Sequence, residues 1–287
     1  MFENQLILPP PWIALPEIER DSIHWRMGIG EAYLEKWAPW YRQLSDEQKA
    51  EYLRLFPEPL MWLGTLTDAA ECETLHEGDL FVTLWREGGQ PRYTRQSLID
   101  AHAAGTMPEL YPFWGHQPAK DGRITRSCFS QWWQSDFYHG GQRFFCMEQC
   151  MMVGKARLFQ DAEVQQQILS CPDPRKIKAL GRSVKPFDSK RWDRVKYPLV
   201  LTGNYHKFVQ NPVLRRFLLS TGDSVLVEAS PYDRIWGVGL SAGDPRIHDP
   251  RQWLGQNLLG FALMEVRDEI RRTYANEALC CDPWHSL

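Results

Sequence analysis

Apolar and polar positions along the chain alternate mainly with a helical period, broken by proline- and glycine-rich joints. The lead carries Pro9, Pro10, Pro11 and Pro16, a density that regular helix does not tolerate. GEAYLEKWAPWYRQL (30–44) and SDEQKAEYLRLF (45–56) then predict two short amphipathic helices, the second capped by Ser45. LFVTLWREGGQPRYT (80–94) predicts a β-hairpin around Gly88 and Gly89. SLIDAHAAG (97–105) predicts a helix ending on Gly105. Beyond Tyr111, short strand-like pieces at FWGH (113–116) and SQWWQSDFYHGG (130–141) lead into a strong helix, FFCMEQCMMVGKARLF (144–159).

A second helix, DAEVQQQILSC (161–171), has Asp161 as its cap, and Pro172 and Pro174 mark a turn before RKIKALGRSV (175–184). Residues 185–210 mix helical and loop character, and VLRRFLLST (213–221) is helical. SVLVEAS (224–230) alternates as a strand closed by Pro231 and Asp233. In WLGQNLLGFALMEVRDEIRRTY (253–274), Leu259, Leu263, Val266 and Ile270 fall on one face. With no βαβ alternation and no repeat, the expected class is α+β and mostly helical, with a few short strands, preceded by a small α/β N-terminal region. The expected divisions are 1–108, of unassigned role, 109–275 as the main domain, and a tail at 276–287.

The 287 residues are 43% apolar and 24% charged, with 13 Trp, 13 Phe and 10 Tyr, which excludes a disordered chain. No stretch approaches ~18 uninterrupted apolar residues, and the first residues lack a basic leader, so the expectation is a cytoplasmic protein without a membrane partner. Seven cysteines in irregular positions, with no CxxC pair, indicate neither a disulfide framework nor a zinc ribbon. Cys146 and Cys150 on one helix face, and Cys280, Cys281 and His285 near the end, read as reduced thiols rather than metal ligands. Charge is uneven. Residues 1–110 hold 9 Lys+Arg against 18 Asp+Glu, whereas 155–216 hold 14 against 5, a local +9 inside a chain of net charge −3. A phosphate-bearing ligand, nucleic acid, or a solvated helical surface each accounts for that stretch.

Three segments carry candidate chemistry. Glu148 lies in an apolar helix, in a setting that raises a carboxyl pKa toward neutrality, and Lys155 follows two turns later; the pair suits acid–base work or simply closes a core. EASPYDRIWGVGL presents Asp233 and Trp236 at a strand end, with Gly237 and Gly239 permitting close backbone approach. Asp233 suits acid–base work or a ribose hydroxyl, Trp236 a flat ring; an Asx-turn and a core Trp explain them equally well. GRSVKPFDSKRWD brings Arg182, Lys185, Arg191 and Trp192, basic groups beside an aromatic that suit a phosphate next to a stacked base. His248 with Asp244 and Asp249 in DPRIHDP reads as a surface turn. The common phosphate-loop, dinucleotide, metalloprotease and serine-hydrolase motifs are absent.

FWGH (113–116), MEQCMMVGKARLF (147–159), KALGRSVKPFDSKRWD (178–193), GNYHKFVQNPVLRRFLLSTGD (203–223), VEASPYDRIWGVGL (227–240) and WLGQNLLGFALMEVR (253–267) together resemble the YbiA-like NADAR domain family. The likeness runs in order through about 160 residues. It implies an N-glycosidase, a hydrolase that cleaves a ribose C1–N bond to an exocyclic amine. Removal of ADP-ribose from guanine in nucleic acid fits best, with clearance of ribosylaminopyrimidine phosphates of riboflavin synthesis, or a non-catalytic ADP-ribose or NAD-derivative binding module, as alternatives. The resemblance implies an ADP-ribosyl or ribose-phosphate substrate, nucleic acid as a partner, and no cofactor or metal. It gives Glu148, Lys155 and Asp233 catalytic roles. It places Trp114, Gly115, His116, Arg182, Trp192, Lys207, Asn211, Trp236, Gly237 and Asn257 in substrate binding, and Gly181 also matches. The sequence departs from the family's usual Ser-Asn-Phe at SQWW (130–133).

Overall fold

The computed structural model describes residue 2 and residues 6–66 and 91–282. The hairpin expected around Gly88–Gly89, Cys72 and His285 lie outside the described residues. The elements run α1 (Pro11–Ala14), α2 (Ile29–Gln43), α3 (Asp46–Leu55), α4 (Arg95–Ala103), β1 (Leu110–Phe113), β2 (Phe137–His139), β3 (Gln142–Phe144), α5 (Met147–Leu158), α6 (Ala162–Ser170), α7 (Pro174–Ser183), α8 (Ser189–Val209), α9 (Pro212–Leu219), β4 (Val225–Glu228) and α10 (Leu258–Tyr274), with short 3-10 turns between them. This is the mostly helical α+β architecture.

The expected caps are in place. Ser45 and Gln48 form a reciprocal capping box on α3, and the Asp161 side chain accepts from Val164 N on α6. Three expectations shift. FWGH contributes only Phe113 to a strand, and SQWWQSDFYHGG pairs only over 137–139, with 142–144 as its partner strand. Residues 185–210 are not half loop: α8 continues through Pro198, because Tyr197 to Val209 are all buried and tertiary packing outweighs the missing N–H. Finally, α10 starts at Leu258 rather than Trp253. Residues 254–258 instead hydrogen-bond to the 234–238 loop through Leu254 N to Val238 O and Asn257 N to Gly237 O.

β1 and β4 form a parallel pair in the register Leu110↔Val225 to Phe113↔Glu228. Helices α5 to α9 make the crossover between them, and α10 packs on both β4 and α8. The main core is drawn from residues 98–274 and centres on Phe129, Phe208, Leu226 and Leu263. A separate aromatic core in the N-terminal region joins Trp12, Tyr33, Trp37, Tyr52, Phe56 and Trp62. That region is fastened to α10 and to the segment that follows it: Leu60 N donates to Glu269 Oε1 (2.8 Å), Tyr274 Oη to Trp12 O (2.8 Å) and, beyond the helix, Cys281 N to Ile7 O (3.0 Å). Among the described residues, no helix is long and apolar enough to cross a membrane.

Candidate active site

Two elements end at the same place. α5 begins after the extended residue Cys146, and this puts Glu148 in its first turn, buried at 4% exposure. Glu148 N donates to Gln131 O (2.8 Å), and the Trp132 indole Nε1 donates to Glu148 Oε2 (3.2 Å). Burial drives the Glu148 pKa up to about 6; Lys178, the Trp132 bond and Arg182 pull against it, while Asp233 adds to it. Lys178 and Arg182 reach this point because α7 packs closely on α5 at Gly181. A Cβ there would fall 1.9 Å from Met152 Sδ and 2.8 Å from its Cγ, so glycine lets the helices approach without displacing Met152.

The second element is β4, whose last residue is Glu228. Asn257, buried and in the left-handed conformation (φ 58), clamps this strand. Its Oδ1 accepts from Glu228 N (2.9 Å) and its Nδ2 donates to Leu226 O (2.9 Å). Glu228 Oε2 is buried with no hydrogen-bond partner. Burial, then Asp233, then Glu148 raise its pKa to about 8, with Lys178 opposing. Asp233 caps the next turn, its Oδ1 accepting from Ile235 N (2.9 Å) and Trp236 N (2.8 Å). A Cβ on Gly237 would sit 2.8 Å from Glu228 O, which explains glycine there. Three carboxylates, Glu148, Glu228 and Asp233, thus face the cations Lys178 and Arg182.

A cavity of about 760 Å³ opens on the far side of Trp132, lined among others by His116, Trp133, Asp173 and Arg175. The carboxylates do not line it. Trp132 stands between, its ring centroid 5.2 Å from that of His116 in an edge-on arrangement and 5.9 Å from Lys178 Nζ.

The residues expected at the site divide into two groups. Glu148, Asp233, Arg182 and His116 converge on it. Lys155 shares α5 with Glu148 but does not pair with it: Nζ donates to Gly181 O (2.7 Å) and lies 4.2 Å from the Phe187 centroid and 5.6 Å from that of half-buried Trp192. Burial first, then Arg182, lowers the Lys155 pKa. Trp114 is 56% exposed and Gly115 takes φ 84, beside the cavity mouth at His116. Lys207 and Asn211 hold backbone. Lys207, with no exposed surface, donates to Cys128 O (2.7 Å) and Ser130 O (3.2 Å), so it supports the Trp132 segment from beneath. Asn211 Nδ2 donates to Asp136 O (3.0 Å). Trp236 packs in the main core and Asn257 positions Glu228. Asp244 and Asp249 pair with Arg246 and Arg251 as surface turns.

Sequence reasoning missed Glu228, Lys178 and Trp132. The signal for Glu228 was an acid directly after three apolar strand residues and just before a turn. For Trp132 it was the SQWW departure itself, which falls against Glu148.

Compared with known proteins, the chain matches the NADAR domain over residues 112–271. It is 44% identical over 146 residues to an N-glycosidase of Acanthamoeba polyphaga mimivirus, which covers 49% of this chain and 86% of that protein. It is 33% identical over 140 residues to an N-glycosidase of Nostoc punctiforme, covering 49% of this chain and 75% of that protein. The solved NMR structure of the Escherichia coli protein YbiA superposes with a TM-score of 0.46 at 23% identity, covering 60% of this chain and 89% of that one.

Proposed function

This chain belongs to the NADAR domain family, and from that premise we propose that it is an N-glycosidase that hydrolyses the ribose C1–N bond of ADP-ribosylated guanine in nucleic acid. The observation that carries the reading is the placement of two carboxyls within electrostatic reach of each other and of Lys178, Glu148 in the first turn of α5 against the Trp132 indole and Glu228 at the end of β4 held by Asn257, where burial raises both, to about 6 and about 8. At neutral pH the first is ionised and the second protonated, the division of labour a glycosidic cleavage needs.

Breaking the bond leaves positive charge on C1 and O4′ and negative charge on the departing amine. The Glu148 carboxylate stabilises the oxocarbenium-like centre and then takes a proton from the attacking water. Glu228 donates a proton to the exocyclic amine as it leaves. Asp233, fixed by its turn, holds ribose hydroxyls, and Lys178 and Arg182 receive the diphosphate. The cavity beyond Trp132 takes the remainder of a large substrate, and its volume lies in the upper part of the range for ligand pockets. Lys155 sits seven residues from Glu148, about 10 Å along the helix axis. Its Gly181 bond and its place over Phe187 suit an ammonium that ties α5 to α7 and to the loop after it, rather than an amine capturing C1 as a Schiff base.

The test offers the protein an ADP-ribosylated guanine oligonucleotide and, separately, a ribosylaminopyrimidine phosphate, and follows released sugar by mass spectrometry with and without borohydride. Release from the oligonucleotide, lost in Glu148→Gln and Glu228→Gln, supports the reading. Release from the pyrimidine alone moves the substrate to the small molecule. Tight ADP-ribose binding without release of either makes the domain a binding module. A borohydride-trapped adduct, absent in Lys155→Ala, restores the Schiff-base route.

A further inference from the structure

Away from the carboxylates, the N-terminal region and the main domain meet at three polar side chains. Glu19, from the loop after α1, reaches across to His139 at the end of β2 and His206 inside α8. Glu19 Oε1 lies 2.7 Å from His139 Nδ1, 2.9 Å from Gly140 N and 3.3 Å from His206 Nε2. The two imidazoles stack at 4.7 Å with 24° between planes. Trp25 Nε1 donates to Glu19 O (2.8 Å) and fixes the backbone that presents the carboxylate.

Hydrogen bonding accounts for only part of this cluster. His206 is 4% exposed, yet neither ring nitrogen has a hydrogen-bond partner, even with Nε2 so near Glu19. A buried polar ring without partners costs free energy unless something outside the protein's own hydrogen-bond inventory engages it. The candidate ligand atoms of Glu19, His139 and His206 all lie within 4.8 Å of one another. A tetrahedral zinc with bonds of about 2.0–2.1 Å needs its ligand atoms roughly 3.3 Å apart, so the geometry is completed by a closure on the order of 1 Å together with a turn of one imidazole out of the 24° stack, which brings both ring planes onto the ion. One carboxylate offsets half of a divalent charge and the two neutral imidazoles add nitrogen donors, a set that suits a borderline-soft transition-metal ion better than calcium or magnesium, which favour all-oxygen shells.

We propose that Glu19, His139 and His206 bind one divalent transition-metal ion of the zinc class, which staples the N-terminal region to the catalytic domain. The ion has no part in the glycosidic chemistry: the site draws on none of the residues assigned to cleavage. Its effect is on stability and on the docking of the N-terminal region, through ligation that exists only in the folded chain.

The experiment uses the full chain, stripped with a chelator and desalted. Zn²⁺ is titrated against a chromophoric competitor, metal content is measured after gel filtration, and thermal unfolding is followed with and without Zn²⁺. Co²⁺ replaces zinc for visible spectroscopy. One ion per chain, a raised Tm, a cobalt spectrum without a thiolate charge-transfer band, and affinity weakened more than about tenfold in both Glu19→Gln and His139→Ala are expected; tenfold is the loss that even an outer-shell change produces. Both substitutions alter side chains that are not fully buried, and unfolding curves of the metal-free variants establish that each is folded. Absence of stoichiometric binding overturns the proposal. So does binding that survives both substitutions or carries a thiolate band, since the ion then sits on cysteines.

Discussion

At the scale of single residues, the two raised carboxyls set the pH behaviour. Glu148 has to be ionised and Glu228 protonated for turnover, so kcat/KM is expected to rise with pH through about 6 and fall through about 8. Glu228→Gln removes the alkaline limb together with most of the rate, and Glu148→Gln lowers the rate by about 10²–10⁴-fold. A pH–rate profile from 5 to 9 on wild type and both variants checks this, and an alkaline limb intact in Glu228→Gln would assign the proton donor elsewhere. The same shift has a consequence for stability. The Glu228 pKa is higher folded than unfolded, so the folded state binds more protons between the two values. The stability this gives is present below the ordinary carboxylate range and is lost as pH rises through about 8. Glu228→Gln, which never ionises, should therefore be the more stable protein at pH 9, by at least about 1 kcal/mol or roughly 2–4 °C in Tm for a chain of this size. A Tm difference that does not grow with pH would show that Glu228 has little folded-state shift.

At the scale of elements, Asn257 decides where Glu228 stands. It occupies a left-handed backbone position, where asparagine is tolerated, and it joins β4 to the start of α10 with two buried hydrogen bonds. Asn257→Ala leaves an N–H and a carbonyl of β4 unpaired and adds backbone strain, an expected loss of about 2–5 kcal/mol in urea unfolding. Asn257→Gly removes the strain alone and should recover about 1–2 kcal/mol of it, with turnover still reduced because Glu228 is no longer fixed. Equal stability of the two variants would mean that the hydrogen bonds carry the whole effect. This junction also shows what the sequence made legible. Capping residues and helical periodicity located α3 and α6 well, and periodicity found the body of α10 though not its start, because those signals are local. The parallel pairing of β1 with β4 is not local, since five helices separate the strands. Hence neither Glu228, at the end of its strand, nor Lys178, one cation among many, stood out in the sequence. Lys207 and Asn211 show what the matching strings do not: both donate to backbone carbonyls, Lys207 with no exposed surface and Asn211 half-buried.

At the scale of the whole molecule, the described part of the N-terminal region packs behind α10 and contributes no residue to the cavity beside Trp132. Substrate choice therefore falls to the main domain and its charge. The chain carries a net −3, so its overall field does not draw nucleic acid in, and any attraction comes from the local +9 of residues 155–216. Part of that excess is internal, since Lys207 and Arg215 are buried, while Lys178, Arg182 and Arg175 remain around the site and its cavity. So small a set reaches two or three phosphates. For a single-stranded ADP-ribosylated oligonucleotide, log(1/KM) should then fall against log salt with a slope of roughly −1.4 to −2.1, the counterion release expected for that number of contacts. An ADP-ribosylated mononucleotide, lacking the flanking phosphates, should give a shallower line, and Arg175→Ala should flatten the oligonucleotide line by about 0.7 with kcat unchanged. Steady-state kinetics between low and near-physiological salt measure all three. Parallel lines for the two substrates would mean that the enzyme grips the ADP-ribosyl group alone and ignores the strand that carries it, in which case the nucleic-acid context plays no part in recognition and the natural substrate is a small molecule.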